Sequence, residues 1–210
     1  MTLGRMLYPM MFALTLCIAS SASSTVLYNE ATAGDLSGSG LSPTSLGVLS
    51  PGSNQILGST GNVGGTDRDY FSISVPNGYF LAALIELQGT QSGGPLDVSF
   101  IALEEGPQLT LPPNTTTAAG LLGWWHYSPA DINSNLLTLM SVPSQRSSGF
   151  SVPLHPGTYT FWVQDFSPGT FAYAFDLQVV PEPATAALAL LALAACALST
   201  RRRSNRSTLG

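Results

Sequence analysis

Two aspartates, Asp67 and Asp69, stand two positions apart in the glycine-rich stretch GGTDRDYF, directly before an alternating apolar run. Ca²⁺ prefers oxygen ligands, and carboxylates at this spacing can converge on one cation. Glu30 or Asp35 could complete the oxygen shell. The alternative is a solvated turn in which Asp67 accepts backbone N–H bonds and Arg68 pairs locally. Calcium is the one cofactor that the sequence indicates, and the ion-free turn stays open beside it.

The densest aromatic cluster is GWWHY, from Gly123 to Tyr127. An exposed indole face can stack against a sugar ring, so Trp124 and Trp125 are candidate contacts for a glycan. The competing interpretation rests on strand alternation, which would send one indole inward and leave the other at a sheet edge.

Residues typical of enzyme centres are sparse. The two histidines, His126 and His155, belong to no H-E-x-x-H motif, and the chain has no G-x-S-x-G motif. Cys17 and Cys196 both lie in apolar terminal segments, so the region between them has no thiol nucleophile, disulfide or cysteine metal site. We therefore expect a protein that is not an enzyme, although a Ser, His and Asp assembled by the fold would leave no motif.

The C-terminal tail has three parts in a fixed order. Pro181, Glu182 and Pro183 come first. Because proline cannot donate to a sheet, we expect both prolines to stay outside the strand ladder and the segment to be extended and exposed. Residues 184–200 are small and apolar, and as a helix they would be ~25 Å long, a short membrane span. Four arginines follow, which would keep the C-terminus in the cytoplasm. They are Arg201, Arg202, Arg203 and Arg206.

The N-terminus predicts a secretory signal peptide over residues 1–22. Arg5 supplies a positive start, Met6 to Ile18 an apolar segment, and the following small residues a cleavage site after Ala22. Cleavage after Ser24 is the alternative. Signal peptidase and the general secretion machinery are thus expected partners, and the body would be exported.

The body between these signals, residues 23–180, is acidic and rich in turn-forming residues. Eleven acidic residues face only Arg68 and Arg146 there, a surface that repels nucleic acid. The whole chain has 21 glycines, 15 prolines and only 9% charged residues. Short strands and tight turns suit this composition, and a 44% hydrophobic content is enough for a core.

Alternating patterns predict the strands of that body. Phe71, Ile73 and Val75 would share one face, and Asn77-Gly78 then indicates a hairpin. On the return strand the apolar face would carry Leu81, Ala83, Ile85 and Leu87, with Glu86 on the opposite face.

Further strands are predicted in LDVSFIAL and in the pair GTYTFWVQD and TFAYAFDLQVV, the pair joined as a hairpin through residues 167–169. Residues 132–140 fit either a strand or a short helix. The expected fold class is all-β, an antiparallel β-sandwich of the jelly-roll type, flanked by the signal peptide and the single transmembrane helix.

The tail resembles the PEP-CTERM sorting signal of Gram-negative bacteria, in its Val180–Pro183 motif, its 184–200 span and its 201–206 arginine cluster. The resemblance implies recognition by exosortase, a membrane-embedded cysteine transpeptidase or protease. It also implies an inner-membrane intermediate, a final place outside the cell or on its surface, and a link with exopolysaccharide and biofilm matrix. The leading hypothesis is a sorted, non-enzymatic surface or matrix protein. The alternative is a carbohydrate-binding module that uses the Trp124/Trp125 region.

The body resembles the bacterial pre-peptidase C-terminal type of domain, a small β-sandwich. The resemblance rests on Glu30, Asp35, the Asp67–Asp69 turn, the strand DYFSISVP and the closing GTYTFWVQD. Some relatives bind Ca²⁺ or polymeric ligands, but this sequence lacks the acidic and Asn-rich entry segment of the calcium-binding members.

Overall fold

A computed structural model describes residues 24–183 and 190–191. The predicted signal peptide, residues 1–22, lies outside the described residues, as do the arginine cluster and all but two residues of the predicted span. The described part is mostly β-structure with two short α-helices and one 3-10 helix. The strands are β1 Ser24–Asn29, β2 Thr44–Val48, β3 Gly52–Asn62, β4 Thr66–Val75, β5 Tyr79–Glu86, β6 Ser99–Glu105, β7 Gly123–Tyr127, β8 Gly157–Gln164 and β9 Gly169–Pro181, and the helices are α1 Glu30–Ala33, 3-10 Pro129–Asp131 and α2 Leu136–Met140.

The strands form one curled sheet in the order β5-β9-β3-β4-β8-β6-β7. All pairs along this path are antiparallel, whereas the short strands β1 and β2 run parallel to β3 and β4. β3 and β4 pair only through Gly61–Asp67 and Asn62–Thr66. This short link divides the sheet into a first half, β1, β3, β5 and β9, and a second half, β2, β4, β6, β7 and β8.

The two halves bury their apolar faces in one common core. Tyr127 of the second half meets Phe175 of the first half edge to face, with ring centroids 5.3 Å apart. Phe71 and Phe161 stack at 5.2 Å on neighbouring strands of the second half. Each such side chain contributes about 1.5–3 kcal/mol by leaving water. The prediction that Phe71, Ile73 and Val75 share a buried face is confirmed.

Both predicted hairpins are wrong. β4 and β5 are joined by the turn at Asn77-Gly78, yet β4 pairs with β8 and β5 pairs with β9. The connection at residues 167–169 likewise leads from β8 in the second half to β9 in the first. In each case the two strands face each other through the core instead of sharing hydrogen bonds. An alternating apolar face fits either arrangement, which is why sequence could not separate them.

The predicted strand LDVSFIAL and the undecided residues 132–140 form a shorter strand and a short helix, respectively. β6 begins only at Ser99, and the side chain of Leu96 is 81% exposed, so the predicted strand LDVSFIAL starts too early. Within residues 132–140 the structure forms the short helix α2, and the Asn135 side chain caps its N-terminus by accepting from the Leu137 N–H.

A register shift in β5 changes which side chains face the core. The pairing of β5 with β9 is irregular between Leu81 and Ala83, and this shift moves the next residues to the opposite faces. Leu84 and Glu86 are therefore buried, whereas Ile85 is only half-buried. The predicted position of Glu86 on the face opposite the apolar one is wrong. Both carboxyl oxygens of Glu86 are buried without a hydrogen-bond partner among the described residues.

Replacing Glu86 with glutamine should remove part of the pH dependence of stability. Burial, and to a smaller extent Asp131, raises the pKa of Glu86 to about 8, while an unfolded glutamate titrates near about 4.3. The folded protein then holds a proton that the unfolded chain has lost, so the free energy of unfolding falls as pH rises from about 4 to about 8. Glutamine resembles the protonated acid and does not titrate.

Thermal melts between pH 4 and pH 9 measure this effect. The melting temperature of wild type should fall relative to that of Glu86→Gln across the window. Glu105→Gln, which removes an exposed acid from the end of β6, should instead run parallel to wild type. Parallel curves for wild type and Glu86→Gln would contradict the assignment.

Candidate functional site

Three of the four predicted metal-ligand carboxylates come together. Each of Glu30, Asp35 and Asp69 places one oxygen within 4.8 Å of the other two. We call these three residues the acidic cluster. Asn29 caps α1 through its side chain, and this fixes Glu30 at the first helical position. Asp35 follows Gly34, which ends α1 with a φ of 94°, and Asp69 lies in β4.

The hydrogen bonds of the acidic cluster leave oxygen atoms for a ligand. Glu30 accepts from the Leu36 N–H at 3.2 Å and the Ser59 N–H at 2.7 Å. Asp69 is fully buried, and its Oδ2 accepts from the Tyr173 hydroxyl at 2.7 Å. No N–H or O–H group within the described part of the chain donates to its buried Oδ1, and a hydrogen bond between the Asp69 and Glu30 carboxyls lowers the pKa of Glu30. A buried carboxylate oxygen without a partner is costly unless a proton or a cation compensates it.

Gly58 makes room for this arrangement. It lies opposite Tyr173 in the β3–β9 ladder. A Cβ at Gly58 would collide with the Tyr173 hydroxyl and would stand 3.0 Å from the Glu30 carboxyl carbon. Only glycine therefore lets the tyrosine that holds Asp69 and the carboxylate of Glu30 approach from one side of β3.

Electrostatics in the acidic cluster favour a bound positive charge. Burial raises the pKa of Asp69 to about 9, the hydrogen bond from Tyr173 opposes this, and the neighbouring carboxylates add to it. Burial also raises the pKa of Glu30. Arg68 gives no compensation, since its Nε donates to Gln164 at 3.2 Å and its guanidinium lies over the Phe166 ring.

Asp67 has a different position from the one the sequence suggested. It stands outside the acidic cluster, while its partner in the predicted pair, Asp69, lies inside it. Burial and the charge of Asp35 raise the pKa of Asp67. Asp67 thus contributes to the negative potential around the cluster, and the converging oxygens come from Asp69, Glu30 and Asp35.

The two tryptophans of GWWHY do not form one platform. They are successive residues of β7, which ends the sheet path, so their side chains point to opposite faces. Trp124 stacks on Phe100 with ring centroids 6.0 Å apart. Trp125 is 36% exposed and lies beside Leu139 and Val142 in a second shallow groove, which the edge of Trp124 also lines.

Trp124 belongs to an aromatic cleft on the outer face of the second half. The rings of Phe100 and Trp162 continue its floor, with centroids 4.9 Å apart, and the cleft has a volume of about 510 Å³. The remaining polar lining comes mainly from neutral side chains: Asn114, Thr115, Thr116, Thr117, His126, Gln145 and Gln164. We call this cavity the outer cleft.

The outer cleft has one acidic lining residue, Asp165, and no arginine among its described lining residues. Burial lowers the pKa of His126, which favours its neutral form. The carboxylate of Asp165 already accepts hydrogen bonds from Ser99, Gly93 and Ser167. Phe100 and Trp162 were not predicted from the sequence as lining residues. The available signal was that Trp162 lies between the apolar residues Phe161 and Val163, which indicates a strand with apolar side chains on both faces.

The sorting motif continues directly from the last strand. Pro181 is the final residue of β9 and pairs with Tyr79, and the Glu182 N–H donates to the Gly78 carbonyl at 2.9 Å. The expectation that both prolines stay outside the ladder is therefore wrong for Pro181. A proline at a strand end removes one donor only, so the pairing can extend to it. Pro181 and Pro183 are exposed, as predicted.

The segment beyond the motif is described only at Leu190 and Leu191, which are helical and exposed. The rest of the predicted span, residues 184–200, lies outside the described residues. Among the residues that the structure does describe, no helix combines the length and apolar character needed to cross a membrane.

Comparison with known proteins finds a family for the tail and no match for the body. The family model of the PEP-CTERM protein-sorting motif matches residues 179–203. Neither the curated proteins nor the solved structures include a match to the chain. The matched segment contains the end of β9, the Pro-Glu-Pro motif, the apolar stretch and three of the four clustered arginines. The chain therefore carries a PEP-CTERM sorting motif, which marks an exported protein that is anchored in a membrane before exosortase sorts it.

Proposed function

We propose that the protein is a non-enzymatic β-sandwich that exosortase sorts to the cell surface or into an exopolysaccharide matrix. The observation that carries this proposal is the sorting motif at residues 179–203, placed directly at the end of a folded, mainly β body. A jelly-roll sandwich related to the pre-peptidase C-terminal type fits the curled sheet, because its two halves pack on one core. The arrangement of the tail corresponds to a Gram-negative source.

Each terminal segment of the chain has a physical task in this proposal. The signal peptide over residues 1–22 directs the body out of the cytoplasm through the general secretion machinery. The apolar stretch 184–200 then stops in the inner membrane, and the arginines of residues 201–206 stay on the cytoplasmic side. Pro181, Glu182 and Pro183 are held at the outer surface of the membrane, where a membrane-embedded transpeptidase can reach them.

The attachment of the motif to the body adds a constraint. Glu182 is hydrogen-bonded to Gly78, and β9 leaves no linker between the sheet and Pro181. The body must therefore stand close to the membrane surface before sorting. A processing enzyme that binds the motif in extended form has to compete with the last rungs of the β5–β9 ladder, Tyr79–Pro181 and Phe80–Val180.

Replacing Pro181, Glu182 and Pro183 together with alanine should block removal of the tail and leave export intact. Mass spectrometry of the protein from its native host, separated into membrane and released fractions, measures this. Wild type should lack residues 184–210, and the variant should retain them in the membrane fraction.

The matched control for the sorting motif replaces Pro112 and Pro113, two exposed prolines of the body, with alanine. That variant should be processed like wild type. A wild-type protein that keeps residues 184–210 in its mature form would refute the sorting proposal.

A second candidate function is binding of a neutral glycan, and the outer cleft favours it. Sugar rings present C–H faces that pack on aromatic rings and hydroxyls that bond to amide and hydroxyl side chains. The outer cleft offers both, through the partly exposed Phe100 and Trp124 rings, which pack on the buried Trp162, and a lining of mainly neutral polar residues. Its volume lies in the range of small-molecule sites. This candidate shifts the expected contact from the Trp124/Trp125 pair to Trp124 alone.

Trp124→Ala should lower the affinity for a neutral polysaccharide that retards the wild-type protein by about tenfold or more, which corresponds to ~1.4 kcal/mol. The affinity is measured from the retardation of the protein in gels that contain the polysaccharide. Trp124→Phe should retain part of the affinity because it keeps an aromatic face. Trp125→Ala is the matched control, since it removes the neighbouring indole from the opposite face of the same strand. Equal losses in Trp124→Ala and Trp125→Ala, or retardation by no polysaccharide in a broad panel, would exclude the cleft as a glycan site.

A further inference from the structure

We propose that the start of β5 acts as a latch on the sorting motif, and that this latch must open before exosortase can remove the tail. Two segments form the latch: residues 78–80, at the start of β5, and residues 180–182, at the end of β9. The latch rests on the proposed sorting function, and it gives the folded body control over when that function is carried out.

The backbone of the motif is already engaged within the protein. The last rung of the β5–β9 ladder joins Tyr79 to Pro181. Beyond it, the Glu182 N–H donates to the Gly78 carbonyl at 2.9 Å. Because proline has no N–H, Glu182 supplies the only backbone donor of the Pro-Glu-Pro motif. The latch therefore occupies the one backbone donor that the motif can offer to an enzyme.

The latch is separate from the rest of β9. The ladder between β3 and β9 ends at Gly52–Val179, so among the described residues β5 is the only strand that pairs with Val180 and Pro181. The core ends at the same point, since Val179 is 2% exposed and Val180 is 40% exposed. Opening beyond Val179 leaves the buried residues of β9 in place, so it is a local event that does not require unfolding of the body.

The β5 side of the latch is anchored to the body. Leu81, the next residue of β5, is fully buried, and it exchanges two backbone hydrogen bonds of 3.0 Å with Leu154. The Phe80 ring meets the His155 ring edge to face, with centroids 5.1 Å apart. When the latch opens, residues 180–182 therefore move away from a fixed β5.

A processing enzyme competes with β5 for the motif. Recognition of a peptide by strand addition uses main-chain hydrogen bonds along the edge of the peptide, and in the latch β5 takes these bonds. When local opening is fast relative to cleavage, the rate of proteolysis follows the population of the open form. Loosening the latch should therefore speed removal of the tail, and locking it should stop removal.

Insertion of Gly-Ser-Gly-Ser between Val180 and Pro181 tests the latch on the full chain in its native host. The insertion keeps the motif but takes it out of register with β5. The tail should be removed at least about threefold faster than in wild type, because each backbone hydrogen bond shifts an opening equilibrium by roughly fivefold. Pulse-chase labelling, with precursor and shortened product separated on gels, measures the rate.

The matched control carries the same insertion between Gly64 and Gly65, in the exposed turn between β3 and β4. Insertions at exposed loop tips are generally tolerated. This control should be processed at the wild-type rate.

A reversible crosslink tests the closed state without changing the length of the tail. Phe80→Cys and Val180→Cys together place two cysteines at directly opposite positions of the ladder, where a disulfide can form. In a Cys196→Ala background, the crosslinked precursor, identified on non-reducing gels, should keep its tail. A reductant should restore processing to the rate of Val180→Cys alone in the same background, which accounts for the changed side chain and for the reductant.

The latch is refuted if the insertion before Pro181 leaves the rate unchanged or lowers it, or if the insertion at Gly64 speeds processing equally. It is also refuted if the crosslinked precursor loses its tail as fast as its reduced form. A wild type that is never processed would overturn the sorting function and the latch with it. A wild type that is processed, with no faster processing after the insertion, would overturn the latch alone.

Discussion

The structure depends on the burial of two apolar sheet faces against each other. Neither half of the curled sheet can be stable alone, because Phe175 and Leu177 in the first half and Phe161 and Val163 in the second would then face water. The chain meets this requirement by crossing between the halves at every connection from β1 to β6, including Asn77-Gly78, and again between β8 and β9 at residues 167–169. Consecutive strands therefore seldom share hydrogen bonds. The last strand, β9, lies between β5 and β3, which come from the first half of the sequence.

A feature of the fold could be predicted from the sequence when neighbouring residues alone determine it, and could not when it depends on how distant strands pair. The alternation of Phe71, Ile73 and Val75 was sufficient to place β4 and its buried face. The partners of β4 were not predictable, since the Asn-Gly dipeptide fits more than one turn. A two-residue hairpin needs a positive φ at both residues, whereas only Gly78 has one here, at 80°. Glu86 was misplaced because a single irregularity in the β5–β9 register reverses the faces, and no residue type in that stretch marks it.

The candidate sites also differ in how much of each could be predicted from neighbouring residues. The sorting motif is a continuous segment, so the sequence was sufficient to locate it. The acidic cluster required Glu30, Asp35 and Asp69 to meet from separate segments, and the sequence indicated all three but also Asp67. The role of Gly58 as the gap that admits Tyr173 had no local signal, because it follows only from the pairing of β3 with β9. The outer cleft depends on side chains from β6, β7 and β8, and sequence identified only Trp124.

Strand β9 connects the two ends of this functional arrangement. Tyr173, near its beginning, holds Asp69 in the acidic cluster, and Pro181 at its end begins the sorting motif. Eight residues of extended chain separate them, a distance of ~27 Å. In the proposed sorting intermediate, the end of β9 that carries Pro181 would lie next to the membrane, and the acidic cluster would lie toward the opposite end of the strand.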